Sequence, residues 1–435
     1  MAAVIPHASL SISSQLADRT RHHVALRLLP FVFVLYITNY LDRTSVAYAA
    51  IGMSRDLGFS DRVFGVGAGI FFVGYVALQI PGALLVEHWS ARRMISLTMI
   101  AWGSMTALTA LVHTPLQLYM ARAVLGFAEA GFFPGVIVYL SHWFTSEDRA
   151  KACSNFTAAI PVSFVIGSPV AGWILGHNFF AISGWRWLFI LEGVPAILLG
   201  IVAFFYLTDL PREAAWLAPE QKQWLENKLR EEKSESVNAT PVIQAILSRT
   251  ILLLSAVCFL SYFGYYSFLY SLPTMLKRLS GFSDFKVGLL GALPYAALVA
   301  ALLFNGWHSD KRQERRWHIV VPCLLGSLGI FGLILHPTSI PISMILISMV
   351  TMATAYLPAL WAIPTEVLSK SAAAVAVGMI NAVGNIAGFF GPVLFGYLST
   401  KTGSFQSGLI MILATSLAGA LLILAVPKQA PVSVI

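Results

Sequence analysis

The sequence predicts an all-α membrane protein with twelve transmembrane helices in two pseudo-symmetric bundles of six. Three observations carry this expectation. Only 11% of the 435 residues are charged and 57% are hydrophobic, with a mean hydropathy of +0.75; a soluble domain carries about a quarter charged residues. Apolar stretches long enough to cross a bilayer as helices, about 20 residues, recur along the whole chain. A set of landmarks also repeats at one offset between the two halves.

The apolar stretches place spans near 25–48, 63–86, 94–113, 116–140, 153–176, 186–208, 250–276, 285–307, 317–335, 340–364, 372–399 and 405–426. A β-barrel would alternate in short segments of about 10 residues instead. The polar segment 1–23 reads as a mobile N-terminus. It does not open a signal peptide, because the apolar run after it is span-length and has no small-residue cleavage site. Residues 24–208 form the first bundle and 250–427 the second. Between them, 209–249 reads as a linker with a short polar helix in "APEQKQWLENKLREEKSES", where Glu226 and Arg230 are spaced for an i,i+4 pair. Residues 428–435 form a short tail.

The halves share landmarks. "GALLVEHWSARR" follows the second span and "GWHSDKRQERR" follows the eighth; Glu87 and Asp310 are 223 residues apart, each with two arginines five and six residues on. Pro169 and Pro392, in the fifth and eleventh spans, share the 223-residue offset. Six-plus-six repeats with a site at their interface are a transporter architecture.

The net charge of +8 reports topology rather than a nucleic-acid partner. With both termini on one side, nineteen Lys and Arg fall in segments on that side and six, Arg55, Arg62, Lys277, Arg278, Lys286 and Lys401, on the other. The positive-inside rule then puts both termini in the cytoplasm. No soluble basic face exists for nucleic acid. Cys153, Cys258 and Cys323 are scattered, with no metal or redox spacing. Nucleotide-binding and hydrolase motifs are absent, so the chain reads as a non-enzyme without cofactors, driven by an ion gradient. Protons are the favoured ion and Na⁺ the alternative.

Four ionisable residues lie deep in apolar spans: Asp42 and Arg43 in the first, Arg122 and Glu129 in the fourth. Each would be costly against lipid, so they must face a cavity or one another. Arg122 and Glu129 are two helical turns apart and share a face. An Arg fork matches a carboxylate, and a sheltered carboxyl can carry a proton. The other reading is a fixed ion-pair network tying the first and fourth spans together. Asn381 and Asn385 lie one turn apart in the eleventh span, placed for ligand contact or helix packing. Gln79, Tyr265, Tyr266 and Trp361 are candidate cavity-lining positions. Glu192 and Glu366 read as structural residues near span ends.

The pattern resembles the major facilitator superfamily. The loop after the second span is similar to its signature GxLxDRxGRR, with Glu87 for Asp, His88 for Arg and Ser90 for Gly. "NYLDR", "RAVLGFAEAGFFPG" and "GWRWLFILEG" resemble the anion:cation symporter family within it, with "YLTDLPREAAWL" closest to its tartrate and aromatic-acid branches. The resemblance implies proton-coupled uptake of a small organic carboxylate across a bacterial inner membrane, by a monomer working through alternating access. It implies proton sites at Asp42 and Glu129, a carboxylate-binding Arg43 and substrate contacts at Tyr75 and Asn381, with Arg122 completing the charge network. Asn385, Trp361 and Tyr265 complete the expected substrate site. Ile160 occupies a family polar contact position, which tells against sugar acids. Glu87, Arg92, Arg93, Asp310, Arg315 and Arg316 read as a cytoplasmic gate favouring the outward-facing state. The rival readings are a proton-coupled efflux antiporter, disfavoured by Arg43 for cationic cargo, and a non-transporting membrane sensor on the same fold.

Overall fold

The computed structural model describes residues 7–235, 247–335, 339–368 and 370–426. The first half contains α1 (His7–Leu57), α2 (Asp61–His88), α3 (Ala91–Thr109), α4 (Pro115–Glu129), α5 (Phe132–Trp143), α6 (Ser146–Thr157), α7 (Ala159–Leu175) and α8 (Gly184–Tyr206). After α9 (Pro219–Glu235) come α10 (Arg249–Ser280), α11 (Asp284–Arg312), α12 (Trp317–Ile334), α13 (Ile340–Met352), α14 (Leu357–Val367), α15 (Lys370–Thr402) and α16 (Gln406–Leu424).

Twelve spans result because three are broken in two: α4 with α5, α6 with α7, and α13 with α14. Each break has a proline just after it. Pro134, Pro161 and Pro358 have no N–H to donate, and their rings crowd the carbonyl four residues back. The last break is bridged by a 3₁₀ turn, Ala353–Tyr356. Eleven of the twelve spans are long and apolar enough to cross a membrane by composition alone. The remaining one, α3, carries Arg92, Arg93 and several hydroxyl residues. It is held along α8, where Gly103 and Gly193 bring the two backbones together and Ser96 donates to the Gly200 carbonyl at 2.6 Å.

The internal repeat extends further than the two landmarks read from sequence. Gly58 and Gly281 both take positive φ, 66° and 63°, which glycine adopts without strain. Ser60 and Ser283 then cap α2 and α11 in the same way, through Val63 and Lys286 N–H groups. All these pairs are 223 residues apart. The halves meet along two matching seams, α2 with α15 and α7 with α11. Gly65 rests on Pro392 and Gly396 in one, and its repeat partner Gly288 rests on Ser168 and Gly172 in the other.

At the α1–α2 turn the seams end in paired charges. Arg278 holds Asp61 through two bonds, at 2.6 and 2.9 Å. Arg55 approaches Asp284 at 3.6 Å. Arg55 and Arg278 are themselves 223 residues apart, so the two ion pairs exchange places under the repeat. Ser399 and Lys277 add bonds to Asp61 and Asp284, at 2.5 and 2.6 Å.

The expected mobile segment 1–23 is helical from His7 onward. Arg21 pairs with Glu147 at 2.6 Å and Asp148 at 3.1 Å, and His23 meets Trp216 edge-on, so these contacts fix its C-terminal end to the bundle. The polar helix forms as α9, but its ion pair is Lys228–Glu231 at 2.8 Å. Glu232 receives the Ser146 N–H, and Trp216 stacks on Trp143, so the linker is docked on the first half. The tail 428–435 lies outside the described residues.

Candidate functional site

The four deep charges come together as two ion pairs. Asp42 and Arg43 are consecutive on α1, so their side chains diverge by about 100°. Asp42 accepts from Thr106 of α3 at 2.7 Å and from Arg122 of α4 at 3.4 Å. Arg43 donates to Glu129, the last residue of α4, at 2.7 Å. All four are at most 4% exposed. Phe71 of α2 lies between the pairs, 5.3 Å from the Arg43 guanidinium and 4.9 Å from that of Arg122. The ring keeps the two cations apart and meets both with its π-face.

The Arg43–Glu129 pair is not saturated. Arg43 Nε and Glu129 Oε2 are buried without a hydrogen-bond partner among the described residues. Arg43 lies over Tyr40 at 4.7 Å and Tyr75 at 5.3 Å. From the other half, Tyr265 and Tyr266 lie within electrostatic reach of it. Tyr266 packs on Phe72 at 4.4 Å across the seam and donates to Asn385 at 3.3 Å. Asn381, Trp361 and Tyr265 are half-buried. Gln79 keeps its carbonyl oxygen buried without a partner among the described residues. The structure thus gathers Asp42, Arg43, Arg122, Glu129, Tyr75, Tyr265, Tyr266 and Asn385 around one junction. Asn381 and Trp361 sit on the second-half helices and make no polar contact with the four charges among the described residues.

The loop clusters each close on their own half. Arg92 meets Asp209 through its N–H at 2.8 Å. Arg315 binds Asp310 at 2.6 Å and Glu366 at 2.7 Å, and Arg316 donates to the Leu424 carbonyl. Burial works against the Arg315 charge, yet the bonds to Asp310 and Glu366 raise its pKa above the usual value. The Glu87 side chain lies outside the described residues. The cross-half charges are instead those at the opposite helix ends, Arg55, Asp61, Arg278 and Asp284.

Glu192 departs from its expected place. It is 9% exposed and lies against the Ser45 hydroxyl, so it does not snorkel from a span end. The sequence reading also missed Thr106, Phe71 and the Asp61–Arg278 pair. Thr106 and Phe71 carry no signal, being ordinary residues in apolar spans. The equivalence of Asp61 and Asp284 was legible, since "GFSDRVFG" and "GFSDFKVG" sit at the 223-residue repeat, but their pairing with Arg278 and Arg55 was not.

The sequence profile described as Major Facilitator Superfamily matches residues 32–392. A protein named putative tartrate transporter, from Agrobacterium vitis, is 39% identical over 426 residues, 97% of each chain. A quinolone resistance transporter from Acinetobacter baumannii is 33% identical over 405 residues, covering 92% of this chain and 93% of its own. Among solved structures, the bacterial homolog of the human lysosomal transporter Spinster, inward-facing and unoccupied, aligns with a TM-score of 0.76 at 19% identity. That alignment covers 95% of this chain and 99% of the other, and it is a likeness of fold.

Proposed function

The chain belongs to the Major Facilitator Superfamily, and from that premise we propose that this multi-pass membrane transporter takes up a small organic carboxylate together with protons. The observation that carries the reading is the buried, unsaturated Arg43–Glu129 pair at the junction of the halves. An Arg fork accepts a carboxylate through two parallel bonds. While Glu129 is ionised it occupies that fork. Once protonated, it releases positive charge that an incoming anion can neutralise. Proton and anion then favour one another's binding, and by linkage the effect is reciprocal.

Asp42, against Arg122, forms the second proton site. The tyrosines around Arg43 and Asn385 supply ring faces and polar tips for the body of the substrate. The relative named for tartrate supports an organic acid as cargo. The positive-inside bias puts the α2–α3 and α11–α12 loops and both termini in the cytoplasm of a bacterial cell. The closed seam at Asp61 and Arg278 then faces outward, and rocking the two halves exchanges it for closure at the loop clusters. The sheltered carboxyls favour protons over Na⁺ as the coupling ion, and the site is complete within one copy of the chain.

A second reading, proton-coupled drug efflux, is favoured by the quinolone resistance relative. Proteoliposomes separate the two. An inward proton gradient should drive accumulation of radiolabelled tartrate, a hexonate or an aromatic acid above equilibrium. Glu129→Gln, a mimic of the protonated acid, should lose that accumulation. Uphill uptake by the Gln variant would remove Glu129 from coupling; gradient-driven expulsion of a quinolone, with no acid taken up, would replace symport by efflux.

A further inference from the structure

A third carboxyl, Glu192 of α8, sits beside the charge network, and nothing in the two-pair arrangement uses it. Its neighbour Ser45 is on α1, three residues after Asp42 and so near the same face. The Ser45 hydroxyl is 2.8 Å from the Leu41 carbonyl oxygen and also contacts a Glu192 oxygen. A hydroxyl has one proton to give, and a carbonyl can only accept. A protonated Glu192 satisfies both contacts, donating to the Ser45 oxygen while Ser45 donates to Leu41. An ionised Glu192 would instead draw the Ser45 proton away from Leu41.

The charge balance agrees. Asp42 and Glu129 are each matched by an arginine. No cation stands within salt-bridge distance of Glu192 among the described residues. The helices packed on this face of α8 are α1, α3 and α7. From α1 the charged group facing Glu192 is Asp42, which is within electrostatic reach. On α3, Arg92 and Arg93 lie at the far end, about 15 Å along the helix from the Gly103–Gly193 contact. Segment α7 contains no ionisable residue. On α8 itself, Arg186 is bonded to the Ala110 carbonyl.

We propose that Glu192 is a proton-relay residue that exchanges one proton with Asp42. In the described state Asp42 accepts from Thr106 and Arg122 with both oxygens, and Glu192 holds the proton. In the exchanged state the proton has left Glu192 and sits on Asp42, freeing Arg122. The Ser45 hydroxyl turns from Leu41 to the bared Glu192 carboxylate. The pair keeps a single negative charge throughout, so no net charge is created in the interior. The proposal rests on the proton-symport reading.

Two measurements test it. Infrared difference spectroscopy of the purified full chain reads protonated carboxyls without any substrate. Wild type should show a protonated-carboxyl band that is missing in Glu192→Gln and shifted in Ser45→Ala. In proteoliposomes, Glu192→Gln should slow proton-driven tartrate uptake about tenfold, a barrier change of roughly 1.4 kcal/mol, while tartrate counterflow stays near wild type. Absence of a Glu192-dependent band overturns the proposal. So does an intact band with an unchanged ratio of driven uptake to counterflow, which would make Glu192 a fixed neutral bridge. If Glu129→Gln accumulates tartrate uphill, the symport reading fails on its own, and the band still reports the state of Glu192. If tartrate is not carried, proton release on a pH jump, followed with a dye in wild type and Glu192→Gln, decides: release unchanged by the substitution overturns the relay.

Discussion

On the proposed reading Arg43 faces two demands: it must stay paired to remain buried and must become available to bind. A buried pair is costly to assemble, and removing one partner destabilises by about 3–5 kcal/mol. The Arg43–Glu129 geometry meets both demands by leaving Nε and Oε2 unused. Arg43→Lys keeps the charge and loses the planar fork. Tartrate binding to purified protein should weaken about tenfold, the equivalent of 1.4 kcal/mol, and Arg43→Ala should abolish it. Wild type should bind more tightly at acidic pH, since protonating Glu129 uncovers positive charge; equilibrium binding at two pH values checks the sign. Equal affinity of Arg43→Ala and wild type would leave the pair as a structural brace. Much of this site was legible from sequence, because a charge inside an apolar run has few other uses. Thr106 was not legible, since a threonine in a span carries no such cost. Glu192 was misplaced because two turns into a helix looks like a span end when depth is judged from sequence alone.

At the scale of helices, position along the chain was read well and continuity was not. The prolines at 134, 161 and 358 were visible, but proline is tolerated in many spans here, including Pro30, Pro195 and Pro322. Which ones break a helix depends on what the freed carbonyls meet, and that is a tertiary fact. The seam glycines have a sharper consequence. A Cβ at Gly288 would run into the Ser168 carbonyl and the Gly172 backbone, neither of which can rotate aside. Gly288→Val should therefore insert normally and yet fail to close the α7–α11 seam. Spin labels on α7 and α11 should report a longer separation than in wild type, and uptake should fall to a small fraction. An unchanged distance would mean that the seam yields elsewhere.

At the scale of the whole molecule, the repeat converts one chain into two halves that meet as near-equivalents. The halves were legible from two landmarks at one offset; their contact was not, because pairing across halves needs the fold. The reciprocal ion pairs give a direct test. Asp61→Arg with Arg278→Asp should restore the closed seam that Asp61→Arg alone opens, as read by the reactivity of Ala50→Cys towards a membrane-impermeant thiol reagent. An exposed pair is worth about 0–1 kcal/mol, so the single change should move the population a few-fold rather than abolish folding. Equal reactivity of single and double variants would disconnect the pair from closure.

That clasp also joins the transporter to its medium. Arg55 and Arg278 have side chains about half exposed, whereas the Arg43 and Arg122 pairs are sealed. Dissolved ions screen exposed charges over about 8–10 Å at moderate concentrations and leave buried ones nearly untouched. Raising ionic strength weakens the Asp61–Arg278 and Asp284–Arg55 pairs and leaves the buried Arg43 and Arg122 pairs nearly unchanged. If this clasp governs closure, the balance between closed and open seam shifts toward open as ionic strength rises. On the proposed reading, salt then tunes opening at this face and leaves the buried pairs untouched.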